Sequence, residues 1–143
     1  MAKYRYFTLE EFLRSDVAKA EGIDNTPSFE VVDNLNSLVE NILEPLRAAY
    51  GKPIMVNSGY RSPALNKAVC GAVGSAHVRG DAADIRAADM PGFKKFVLYF
   101  LDARKIKFDQ CILEKSPRSE WIHISIKNAA GHQRCEKLSM TTK

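Results

Sequence analysis

The sequence predicts one α+β domain, with helices first and antiparallel-looking strands later. Apolar residues recur at helical spacing over residues 28–50, whereas the second half holds short apolar or alternating runs split by polar turns. No internal repeat, low-complexity stretch or linker divides the 143 residues, so 1–143 is one domain long enough to bury a core.

The elements follow in order. Thr8-Leu9-Glu10-Glu11 has capping-box spacing, with Leu9, Phe12 and Leu13 as its apolar face, and the loop at 22–27 ends that helix. Val31, Leu35, Leu38, Ile42 and Leu46 belong to a wide stripe that predicts a core helix over 28–50. Pro45 is expected to kink it or shorten its last turn, and Gly51 stops it. Residues 53–57 read as a strand and Ser58-Gly59-Tyr60-Arg61 as a turn. Ser62-Pro63 starts a short helix ending near Gly71. A loop at 71–80 leads into a strand at 81–85. Pro91 opens a helix buried through Phe93, Phe96, Val97, Phe100 and Leu101, with Asp89 helping to start it. Strands at 108–113 and 121–126 flank a polar turn. An extended piece follows at 132–138, and the tail 139–143 is expected to fray.

Composition narrows the class. The chain is 45% apolar and 27% charged, as soluble globular domains are. A net charge of +4 and a pI near 9.0 favour an anionic partner without choosing one. No nucleic-acid recognition motif accompanies that charge, so nucleic acid is not expected as a partner. Cys70, Cys111 and Cys135 cannot all pair, and none has Cys-x-x-Cys spacing, which implies reduced thiols, with Cys111 in the core. No apolar run spans a membrane, and residues 1–6 lack a leader's apolar segment. The expectation is a cytoplasmic monomer as synthesised.

The chemistry gathers in two stretches, 75–84 and 120–123. His77, Asp84 and His123 are ligand types, and a catalytic zinc takes three N/O ligands with one open position. Small residues, Gly80, Ala82 and Ala83, let His77 and Asp84 approach one ion. Trp121, His123 and Ser125 alternate with Ile122, Ile124 and Ile126, so His123 faces away from the core. A lone strand histidine is more often a structural residue than a ligand. Glu120 sits three residues before His123, where strict alternation puts it on the isoleucine face. It reaches the site only through an irregular entry to the strand, such as a bulge. Asp81 is an extra carboxylate nearby, and His132 reads as a surface residue.

Together, Ser-x-His-x-x-Gly-x-Ala-x-Asp at 75–84, Glu-x-x-His at 120–123 and Ser-Gly-Tyr-Arg at 58–61 resemble the M15 family of zinc peptidases, over roughly residues 8–126. The resemblance implies the hedgehog/DD-peptidase fold, an antiparallel sheet with helices packed on one side. It implies a Zn²⁺ held by His77, Asp84 and His123, with Glu120 as the base that takes a proton from water. Arg61 matches the residue that binds substrate and polarises the scissile carbonyl. Ser75 matches a substrate or supporting contact beside the first ligand, and Trp121 a residue shaping the cleft. Cys70 stands where relatives often have glycine and reads as a packing residue. The implied activity is hydrolysis of peptidoglycan stem peptides, by D-Ala-D-Ala carboxypeptidase or endolysin-type cleavage after release to the wall. The alternative is a catalytically inactive metal-containing domain that binds wall peptides.

Overall fold

The computed structural model describes residues 3–143. Met1 and Ala2, the start of the segment read above as lacking a leader, lie outside the described residues.

The first helical stretch is two helices. Helix α1 (Leu9–Leu13) opens with the predicted capping box between Thr8 and Glu11. Arg14 is extended and Ser15 caps a separate α2 (Asp16–Glu21), which Gly22 ends in a left-handed conformation. The core helix runs as predicted but in three parts: α3 (Phe29–Leu38), a wide turn over Val39–Leu43, and α4 (Glu44–Tyr50). In the wide turn the Glu44 N–H reaches back to the Val39 carbonyl. The extra residue gives the ring of Pro45 room against the preceding turn, and helical structure continues to Tyr50.

Strand β1 (Met55–Ser58) is followed by α5 (Pro63–Ala68), α6 (Ala76–Arg79), β2 (Ala82–Arg86), α7 (Met90–Ala103), β3 (Gln110–Lys115), β4 (Glu120–Ser125) and β5 (Glu136–Thr141). The sheet order is β1-β2-β4-β3-β5. The first three pairings are antiparallel, but β5 runs parallel to β3. The sheet is therefore mixed, correcting the antiparallel expectation, because the segment after β4 crosses the sheet end before pairing. The expected fraying at 139–143 is corrected too: Ser139 pairs with Leu113 and Thr141 with Lys115. A fork from Arg134 to Asp109 anchors this crossing, with Nε–Oδ1 at 2.7 Å and Nη2–Oδ2 at 2.8 Å. The Arg134 hydrogen bonds hold the Asp109 carboxyl below its usual range.

The core lies on one face of the sheet. Ala83, Ile85, Ile122, Ile124 and Cys111 join Leu35, Leu38 and Ile42 of the long helix and Phe93 and Val97 of α7 in one buried cluster. Burial pushes the Cys111 thiol up to about 12, whereas Cys70 and Cys135 are exposed. Cys70 adopts φ +58°, a left-handed conformation that suits glycine.

Helix α6 is one turn long and too short to be stable alone. Tertiary ties hold it. Asp81, 1% exposed, accepts from Arg79 Nε at 3.0 Å and Lys127 Nζ at 2.7 Å. Lys127 also donates to Asn34 Oδ1, and the Asn34 amide donates to the Arg79 carbonyl. Gly80 closes the turn at φ +79°, and a Cβ there would lie 2.7 Å from the Val31 carbonyl oxygen. Gly80→Ala is expected to destabilise the fold by roughly 2–3 kcal/mol in urea unfolding. In the native protein, Ellman's reagent is expected to titrate Cys70 and Cys135 and to reach Cys111 only on unfolding.

Candidate metal centre

Alternation along β2 sends Ala83 and Ile85 to the core and Asp84 to the opposite face. In the antiparallel ladder Asp84 lies directly opposite His123 of β4. The third donor comes from α6. The Ser75 hydroxyl accepts from the His77 N–H at 3.2 Å, and the His77 carbonyl accepts from the Arg61 N–H at 3.1 Å. His77 is thus on a capped helical turn, where a loop was expected.

The His77 ring is oriented by Gly59, whose carbonyl lies 2.7 Å from Nδ1. A carbonyl only accepts, so Nδ1 carries the proton and Nε2 presents its lone pair. Nε2 lies 3.2 Å from Asp84 Oδ1 and 3.2 Å from His123 Nδ1, and the latter two atoms are 3.1 Å apart. Three donor atoms thus form a nearly equilateral triangle. Bonds of about 2.0–2.1 Å at tetrahedral angles put ligand atoms roughly 3.3 Å apart. A proton on His123 Nδ1 would satisfy part of this triangle, but a cation at its centre satisfies all three atoms at once. The donor set fits a divalent metal that accepts nitrogen and oxygen ligands. Among the described residues this is the group whose donor atoms converge in this way.

Burial alone would raise the Asp84 pKa, but the neighbouring His77 and His123 outweigh burial and hold the carboxyl well below the usual range. In the metal-free protein this contribution to stability is present above the unfolded pKa of about 3.9. It is lost as pH falls through the lower folded value.

Ser-Gly-Tyr-Arg has a structural task here besides the one the resemblance implied. A Cβ at Gly59 would lie 2.6 Å from the Phe12 backbone, so only glycine lets this turn sit against α1 and aim its carbonyl at His77. Arg61 is half-buried, and its Nε has no protein partner. Burial pushes its guanidinium down, while the charges of Asp84 and Glu114 pull it up, so it sits in the field of the metal face. A cavity of about 310 Å³ opens beside His123, lined in part by Ser75, Arg79, Gln110, Asn128 and Arg134.

Glu120 is not brought to the three donors. The pairing of β3 with β4 runs without a break from Lys115↔Glu120 to Cys111↔Ile124, so the irregular entry it needed is missing. Glu120 stays on the isoleucine face, held by Lys94 at 3.1 Å and Lys115 at 3.4 Å. The hydrogen bonds from Lys94 and Lys115 lower its pKa.

The carboxylate on the metal face is Glu114, which the sequence reading missed. It pairs with Trp121, and Ile112 pairs with His123, so Glu114 shares a face with His123. Its Oε2 accepts from Trp121 Nε1 at 3.1 Å. The signal was present in the hairpin. With 116–119 as the turn, 115 opposes 120, 114 opposes 121 and 112 opposes 123, and residues directly opposite share a face. Ser75 acts on His77 through the backbone, and Trp121 lies on the metal face tied to Glu114. His132 and Cys70 are exposed and outside the donor group.

The chain belongs to the peptidase M15 family, whose model matches residues 5–125. No curated protein matches it. Family membership indicates a peptidase, and the convergent His-Asp-His donors agree with a metal-dependent one.

His123→Ala is expected to reduce retained zinc after dialysis, measured by elemental analysis, to under about a tenth of the wild-type level. Ser75→Ala is expected to bind zinc about tenfold more weakly, because it loosens the ligand's support without removing a donor.

Proposed function

We propose that the protein is a zinc-dependent peptidase of hedgehog/DD-peptidase fold that hydrolyses peptide bonds in peptidoglycan stem peptides. The observation that carries this reading is Glu114 on the face where His77, Asp84 and His123 converge, with Arg61 tied through its backbone to His77. The chemistry that zinc supplies on those donors is Lewis acidity, which activates water and polarises a peptide carbonyl. Glu114 takes the proton released as water attacks and returns it to the departing amine. Its Oε2 is engaged by Trp121, which leaves Oε1 for the proton. The Arg61 guanidinium, whose buried Nε–H has no protein partner, meets either the developing oxyanion or a substrate carboxylate. One such donor is worth roughly 3–4 kcal/mol in comparable sites.

A binding-only domain needs neither a base nor a partner for an oxyanion. With Glu120 on the opposite face, Glu114 together with Arg61 argues for a peptidase over that alternative. The net positive charge suits an anionic wall, which the protein meets after release from the cytoplasm. Nucleic acid and membrane have no part in the reading.

The test compares two carboxamides in zinc-loaded protein. Glu114→Gln is expected to keep its metal and lose about 10²–10⁴-fold in peptide hydrolysis. Glu120→Gln is expected to stay within about threefold of wild type, as an exposed ion pair allows. Full activity in Glu114→Gln with loss in Glu120→Gln would sink the assignment. Mass spectrometry of digested peptidoglycan identifies the bond and separates carboxypeptidase from endopeptidase action.

A further inference from the structure

We infer that Leu138 and Met140 of β5 form a subsite for an aliphatic side chain of the peptide substrate, about three residues from the bond that is cut. This rests on the peptidase reading above.

The side chains of β5 are sorted by their contacts. Lys137 pairs with Asp102 of α7, so it and Ser139 point toward the helical layer, and Leu138 and Met140 point to the metal face. The register names their neighbours. Leu138 lies beside Ile112, which lies beside His123, and Met140 lies beside Glu114, which lies beside Trp121. Two strand spacings place β5 about 10 Å from β4, a distance an extended peptide covers in about three residues. The opposite face of β2 and β4 is filled by Ala83, Ile85, Ile122 and Ile124, so a peptide held at the metal donors lies over this face.

Leu138 and Met140 are 42% and 52% exposed, against 9% for Ile112. Edge strands commonly carry charge to deter pairing. Here Glu136 is engaged by Gln110 and Arg134, and Lys137 by Asp102, which leaves the two apolar side chains facing the site. The Trp121 indole donates a hydrogen bond to Glu114, the residue beside Met140. The strand is firmly held, by the Arg134–Asp109 fork before it and by the Thr142 N–H on the Lys115 carbonyl after it. It also lies beyond the residues that match the family, so this wall is set by this chain's own C-terminal segment.

The experiment uses the zinc-loaded full chain and peptides varied one position at a time, with leucine compared against serine and aspartate. One position about three residues from the cut bond is expected to favour leucine by roughly fivefold to tenfold in kcat/KM, mostly through KM. In the Leu138→Ser/Met140→Ser variant that ratio is expected to fall below about twofold. A preference that survives the double substitution overturns the subsite and leaves the peptidase reading standing. If wild-type protein cuts no peptide, the peptidase reading fails and the Met140 methyl resonance decides the subsite. A shift with leucine peptides and not with serine peptides supports it, and no shift overturns it. Sedimentation showing a dimer that the double substitution dissolves also overturns it, by assigning the two side chains to a second copy of the chain.

Discussion

The antiparallel register between β2 and β4 is the constraint on which the molecule turns. It sets Ala83 against Ile124 and Ile85 against Ile122 on one face, and Asp84 against His123 on the other. Because side chains alternate, packing the core and aligning two metal donors are one event. A slip of one residue would bury a carboxylate and an imidazole and expose the isoleucines. The hydrophobic stabilisation of those buried side chains, about 1.5–3 kcal/mol each, therefore also holds the donors in place. The metal site inherits its rigidity from the core on the opposite face of the sheet.

His77 needs a different device, because one helical turn has no stability of its own. Its backbone is closed by Ser75 and Gly80 and tied by Arg61, and its ring is steered by a carbonyl from the turn before α5. Around the turn, Asp81 joins α6 to Lys127 beyond β4 and, through Lys127, to Asn34 on α3. A carboxylate this deeply buried is tolerated only with such partners. The same helix that anchors the core thereby braces the third donor from the outside.

The face of a residue decides what its chemistry can do. Glu114 and Glu120 are both hairpin glutamates, six residues apart in sequence and on opposite sides of the sheet. Glu120 meets two ammonium groups, which keep its proton affinity low. Glu114 meets an indole N–H and stands in the electrostatic neighbourhood of Arg61 and the donors. The sequence motif singled out the first. The hairpin geometry selects the second, and the alternation already placed Glu120 on the wrong face unless the strand was broken.

Much of this was readable in the chain. The helical stripe at 28–50, the capping box at Thr8, the Asp89 cap and the strand alternation around His123 are local patterns, and local patterns are set by side-chain period and backbone preference. The three donors were also legible, because their residue types and spacings are unusual in combination. Tertiary structure alone decided the rest: the parallel pairing of β5, the order of the tail, and the unbroken entry to β4 that keeps Glu120 on the face its alternation gives. Those depend on which strand edge remained open, on an Arg134–Asp109 pair formed across 25 residues, and on an unbroken β3–β4 register. Each is a contact between distant segments, and no local period in the sequence encodes it.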